Sequence, residues 1–235
     1  MVAAMDDDAS GVDRPRTGTT AGAALPTTTA RRQRRPRQAT AERRAEILRA
    51  AARTFGAKGY KTGSLAEVAE QVGITHAGVL HHFGSKEQLL VEVLEFRDKE
   101  DVRELEGQHI PDGLELFHHL VRTARANELR PGIVQGYTVL TGESVTENHP
   151  ARTWVTDRFR VLRGEIAHAV TVVGGPGTSD EAATRAANAI IGVMDGLQVQ
   201  WLLDPSAVQL AEGTRVAIEA ILTAACPDTT IPTLG

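Results

Sequence analysis

The sequence predicts an all-α protein: an N-terminal three-helix unit containing a helix-turn-helix, followed by a larger helical unit. Apolar residues recur at helical spacing between recognisable caps, Gly and Pro mark the breaks, and no alternating strand pattern of useful length appears. Composition agrees, with aromatics at 4% and abundant Ala and Leu. At 235 residues the chain is long enough for a substantial hydrophobic core.

Residues 1–30, rich in Asp, Gly, Thr, Pro and Ala, are expected to be disordered. Arg31–Arg37 follow as a cationic arm, which Pro36 should keep extended up to Thr40, so residues 1–39 form an extension ending in a basic arm. Thr40 is a candidate N-cap for a first helix. Ile47, Leu48, Ala51, Ala52 and Phe55 share one face of it, and Gly59 ends it. Ser64 and Glu67 make a capping box for a second helix carrying Leu65, Val68, Ala69 and Val72, closed by Gly73. Thr75 caps a third helix that turns Val79 and Phe83 inward and ends near Gly84. Ser85 caps a fourth, which buries Leu89, Leu90, Val93 and Leu94 and continues to about Glu106. The short pair Ser64–Val72 and Thr75–Phe83, joined through Gly73 and Ile74, has the lengths and the glycine turn of a DNA-binding helix-turn-helix, placed in a domain over residues 40–86.

Further helices are expected near 112–129, 131–145, 150–173, 180–203 and 205–225. Pro111, Pro131, Pro150 and Pro205 suit first-turn positions, and Gly174–Gly177 is a loop. These helices make a second domain over residues 87–226, and residues 227–235 are expected to be a loose tail.

The net charge of −4 hides an asymmetry. Residues 31–86 carry a net +8, while residues 87–235 hold ten more acids than bases. One basic end on an otherwise acidic chain is the pattern of a protein that meets phosphate through a single segment, although a plain basic tail would look the same. The lone Cys226 excludes a disulfide framework and a cysteine-rich zinc site. No run approaches the roughly 20 apolar residues of a membrane span. The start Met1–Met5 leads into Asp6–Asp8 and lacks the charge order of a signal peptide, so a cytoplasmic protein is expected. Nucleophile-elbow, phosphate-loop and HExxH motifs are absent, so no enzyme and no cofactor is implied. His81 and His82 invite a metal reading, but adjacent helical side chains point about 100° apart and no further ligand stands at metal spacing.

Residues 43–90 resemble the TetR family of bacterial repressors. The resemblance rests on Ile47–Ala51, Phe55, Gly59-Tyr60, Leu65–Ala69, Val72-Gly73-Ile74 and the run His81-His82-Phe83-Gly84-Ser85-Lys86-Glu87-Gln88-Leu89-Leu90. Met194–Gln198 with Trp201–Pro205 looks like the penultimate helix of many actinobacterial members. The resemblance implies a transcriptional regulator, released from a palindromic double-stranded operator by a small-molecule effector and working as a homodimer. A less specific nucleoid-type DNA-binding protein, or an all-helical enzyme, are the alternatives. Two departures stand out. The family often has Lys after the cap of the third helix and Tyr shortly before the His-His-Phe ending, where this chain has His76 and Leu80.

The candidate DNA contacts follow. Ser64, Thr75 and Lys86 stand at helix starts, where phosphate is bound, and His81 is expected on the backbone. Base reading falls to Thr75, His76, Ala77 and Gly78, with Ala77 on a thymine methyl and His76 on a purine edge. Gly78 costs about 1 kcal/mol of helix propensity. Either the backbone closely approaches the groove there, or the helix is merely weak. Phe117, Leu120, Tyr137, Leu140, Trp154 and Phe159 are the candidate ligand-site residues, with His118, His119, Glu143 and Asn148 as polar inserts. The candidate dimer interface is Ile190, Val193, Leu197, Trp201, Ile218, Ile221 and Leu222, residues that serve a monomer core equally well.

Overall fold

The computed structural model describes the backbone of residues 29–102 and 111–235, and the side chains of residues 39–99 and 111–235. Residues 40–235 form one compact unit.

Among the described residues the regular structure is helical. Its elements are α1 (Thr29–Thr62), α2 (Leu65–Gln71), α3 (His76–Phe83), α4 (Lys86–Val102), α5 (Gly113–Asn127), α6 (Pro131–Glu143), α7 (Arg152–Gly174), α8 (Asp180–Leu203) and α9 (Leu210–Ala225), with a single 3-10 turn at Gly175–Gly177. No described helix is long and apolar enough to cross a membrane.

The first four helices form where their local signals place them, with one exception. Helix α1 begins at Thr29 and runs through Pro36, so Arg31–Arg37 is not extended and Thr40 does not cap a helix. The surrounding Arg, Gln and Ala are good helix formers, and they outweigh one proline. The expected disorder of residues 1–28 lies outside the described residues. Gly59 breaks α1 with φ 73° and ψ 170°. Ser64 and Glu67 make the reciprocal capping box, Thr75 Oγ1 accepts from Gly78 N at 3.0 Å, and Ser85 Oγ accepts from Gln88 N at 3.0 Å. Gly73 and Gly84 turn the chain at φ 66° and 75°.

Beyond α4 the helices are near their expected spans, but the proline reading holds for α6 alone, where Pro131 occupies the first turn. Asp112 caps α5, Ala151 precedes α7, and Pro205 lies in a turn five residues before α9. Asp204 causes that delay. Its carboxylate accepts from Ser206 N, Ser206 Oγ and Ala207 N, which stabilises an Asx turn in place of a helix start. Residues 227–235 are not a loose tail either. Leu234 is fully buried, and its N–H donates to Glu219, which also takes Arg215.

Two main apolar clusters result. One joins α1–α4 with Tyr137 and Leu140 of α6 and Val155 of α7. The other is shared by α5, α7, α8, α9 and Leu234. Where α1 crosses α6, Gly56 faces Gly136. A Cβ on Gly136 would lie 2.9 Å from Ala52 O, so the helices meet backbone to backbone. Gly136→Ala should therefore destabilise the fold by about 1–3 kcal/mol in denaturant melts. The open Gly142→Ala, whose Cβ meets nothing within 4 Å, should be neutral or stabilising.

Candidate DNA interface and effector cavity

The start of α3 is open. Thr75, His76, Ala77 and His81 are exposed and Gly78 is half-buried. A Cβ on Gly78 would make only ordinary contacts, 3.4 Å to Thr75 Oγ1 and 3.6 Å to Ile74, so nothing in the chain itself requires glycine there. Ser64 and Thr75 are both helix caps whose hydroxyls are occupied by backbone N–H groups. Lys86 lies with Nζ 4.6 Å from the Tyr60 ring centroid and donates to Lys61 O at 3.3 Å, which brings the start of α4 beside the turn before Ser64.

Part of the basic charge is structural. Arg44 pairs with Glu92, donates to His82 O and lies 4.2 Å over the Phe83 ring, tying α1 to α3 and α4. Lys58 pairs with Glu67 at 2.7 Å, which holds that carboxyl below its usual range. Counting charge along the sequence cannot separate such locks from free cations.

The helix-turn-helix region meets the end of α6 and the start of α7 at a polar junction. The positive φ of Gly59 leaves room for a carboxylate, since a Cβ there would lie 2.1 Å from Glu143 Oε1. Glu143, at the end of α6, accepts from Tyr60 N at 2.8 Å. His149 lies edge-on to Tyr60, with ring centroids 5.4 Å apart, and its Nε2 is 3.7 Å from Glu143. The Tyr60 hydroxyl donates to Glu87 at 3.0 Å, and burial first, then Glu87, pushes its pKa up to about 12.

A cavity of about 410 Å³ lies among α4–α8. Leu120, Tyr137, Trp154 and Phe159 are on its wall, as is His119. Phe117 and Leu140, expected there, are fully buried in the two apolar clusters beside it. Glu143 belongs to the junction instead, and Asn148 is exposed in a left-handed turn at φ 60°. Sequence reasoning missed the charged lining. Arg97 and Asp98 come from α4, Arg158 and Glu165 from α7, and Asp195 and Gln198 from α8. The Arg97 guanidinium is 4.0 Å over the Tyr137 ring, and Arg158 Nε bonds Asp98 at 2.9 and 2.7 Å. Among the described residues, no group of three or more His, Cys, Asp or Glu is placed to hold a metal ion.

Of the candidate interface residues, Ile190, Trp201, Ile218 and Leu222 are buried within the chain, so they cannot face a partner without repacking. Val193, Leu197 and Ile221 are half-buried. On α8, Gly192, Val199 and Leu203 are exposed and Gly196 is half-buried, at spacings of four, three and four, and Val216 of α9 is exposed too. The wide apolar arc of α8 hid which stripe turns outward.

These features define a DNA-binding helix-turn-helix protein with an internal cavity. Residues 47–93 match the model of the bacterial regulatory proteins of the tetR family. The chain is 30% identical over 188 residues to the HTH-type transcriptional regulator TtgR of Pseudomonas putida, covering 75% of this chain and 88% of TtgR. It is 26% identical to the HTH-type transcriptional regulator AcrR of Shigella flexneri over 207 residues, 83% of this chain and 95% of AcrR. A solved SmeT–triclosan complex shares the fold with a TM-score of 0.65 at 18% identity, over 78% of this chain and 91% of that one. The chain belongs to the TetR family, and it is a DNA-binding transcriptional regulator, not an enzyme. Relatives from Pseudomonas and Shigella do not single out an actinobacterial subtype.

Burial, against the opposing pull of Glu143, lowers the pKa of His149 below its ordinary 6.5. The folded chain thus holds that proton less tightly than the unfolded chain, and unfolding takes up a proton as pH falls below about 6.5. Melts between pH 7.5 and about 5.5 should show stability falling with acid, and His149→Gln should flatten that slope.

Proposed function

We propose that the protein is a homodimeric, cytoplasmic repressor whose operator binding is released when a small molecule fills the α4–α8 cavity. The observation that carries this reading is helix α4. Its first residue, Lys86, stands at the helix-turn-helix, and its Arg97 and Asp98 form cavity wall about three turns further on. Helix α6 makes a parallel link, with Tyr137 at the cavity and Glu143 on Tyr60 N. A ligand that shifts either helix at the cavity must move the recognition helix, because both are rigid and packed into the first apolar cluster.

In this reading Ser64, Thr75, His81 and Lys86 position the phosphate backbone, and Thr75, His76, Ala77 and Gly78 read bases. The glycine keeps backbone clearance against the groove. SmeT, solved with triclosan, gives a precedent for a bound small molecule in this fold. The outward residues Gly192, Gly196, Val199 and Leu203, with Val216, are the surface through which two copies would pair, and a two-fold dimer on a palindrome needs its two α3 helices about one DNA turn apart.

Selection of DNA from a random pool should enrich a palindrome, and His76→Ala should weaken binding by about 1–3 kcal/mol with relaxed preference at one position per half-site. Lys86→Ala should weaken binding to all sequences alike and reduce its salt dependence. Failure to enrich any palindrome sinks the operator reading. Sedimentation should show Val199→Asp shifted to monomer; an unchanged dimer would place the interface elsewhere.

A further inference from the structure

The cavity wall has a specific chemistry. Two guanidiniums and four carboxylates line it: Arg97 and Arg158 against Asp98, Asp157, Glu165 and Asp195. Asp157 is held from outside by Arg160 at 3.2 Å. Even with that carboxylate set aside, acids outnumber bases by one. Arg158 is engaged by both oxygens of Asp98, and Arg97 lies flat on Tyr137 with Asp98 at 3.5 Å. These cations already have anionic or aromatic partners.

Acceptors on α8 face the same space without such partners. Gln198 is only 4% exposed, yet its Oε1 finds no hydrogen-bond partner among the described residues. A buried amide oxygen left unpaired carries a desolvation cost that a ligand donor would recover. Three residues earlier, on the same face of α8, Asp195 forms no hydrogen bond or ion pair with any described residue. Burial raises its pKa against the opposing fields of Arg97 and Arg158. Trp154 and Phe159 complete the wall with aromatic surface.

We infer that the cavity is built for an organic monocation whose N–H-bearing head is held by Asp195 and Gln198 and whose apolar or aromatic body lies against Trp154 and Phe159. The inference rests on the reading of this cavity as the effector site. A protonated amine supplies both the missing charge and the missing donors. A carboxylate head supplies neither, and a hydroxyl supplies a donor without the charge. The body has room, since about 410 Å³ lies within the size range of small-molecule sites.

Three probes with one aromatic body separate these cases: naphthylethylamine, naphthylethanol and naphthylacetate. Calorimetric titration of the full-length protein should give the amine about tenfold or more tighter binding than the alcohol, with the acid weakest. Asp195→Asn should remove the preference for the amine while leaving the alcohol's affinity unchanged. Gln198→Leu should weaken amine and alcohol together, and thermal melts confirm that each variant is folded. Equal affinity for all heads, tightest binding of the acid, a preference that survives Asp195→Asn, or no binding of the amine would each overturn the inference. Binding measured with the selected operator present keeps the two readings apart. If the acid or the alcohol binds best and releases DNA, only the cation assignment falls. If the amine binds with the expected Asp195 dependence and DNA affinity does not change, the cation assignment stands and the sensing role falls.

Discussion

The amide of Tyr60 is accepted by Glu143, a side chain 83 residues further along the chain, and much of the structure follows from that bond. Gly59 permits it: at φ 73° it kinks α1, and having no Cβ it leaves the carboxylate room. A hydrogen bond to a charged acceptor contributes about 1.5–3 kcal/mol, enough to fix the helix-turn-helix against the end of α6. The backbone crossing of Gly56 and Gly136 sets the distance between α1 and α6, and the Glu143 contact sets their register. His149 and the Tyr60–Glu87 bond extend the same junction to the start of α7 and to α4. The helix-turn-helix and the cavity thereby belong to one compact unit.

Such a unit transmits displacement. Apolar clusters packed to interior density do not deform continuously, so in the proposed mechanism a shift at one end of α4 or α6 would emerge at the other. The polar contacts supply direction. Arg97 and Asp98 on α4 sit against Tyr137 of α6 and Arg158 of α7, so these contacts tie three helices together at the cavity. Arg44 plays the corresponding part within the DNA unit, joining α1, α3 and α4 through Glu92, His82 O and Phe83.

The helix-turn-helix was legible in the sequence because its signals are local. Ser64, Thr75 and Ser85 cap helices through neighbours three residues on, and Gly73 and Gly84 act through their own φ. The cavity was only half legible. Aromatic and aliphatic positions such as Tyr137 and Trp154 announce burial, but burial beside a void and burial in a full core have the same periodicity, which is why Phe117 and Leu140 looked like wall residues. The charged lining was illegible, because Arg97, Asp98, Arg158 and Asp195 come together across α4, α7 and α8 and read singly as surface. The same limit applied to α8, where Ile190 and Trp201 face the chain's own core while Val199 and Leu203 turn outward. The late start of α9 followed from one side chain, Asp204, that outcompeted a proline signal.

Coupling between the cavity and the DNA surface can be measured without any ligand, by filling the space from within. In the double variant Leu120→Trp/Met194→Trp, two large side chains would occupy part of the volume that both residues line. Operator affinity of this variant, measured beside its melting temperature and oligomeric state, is the most direct measurement. Coupling through α4 and α6 predicts at least about tenfold weaker operator binding, a shift of roughly 1.4 kcal/mol, in a protein that stays folded and dimeric. Unchanged operator affinity in a folded, filled dimer would contradict it.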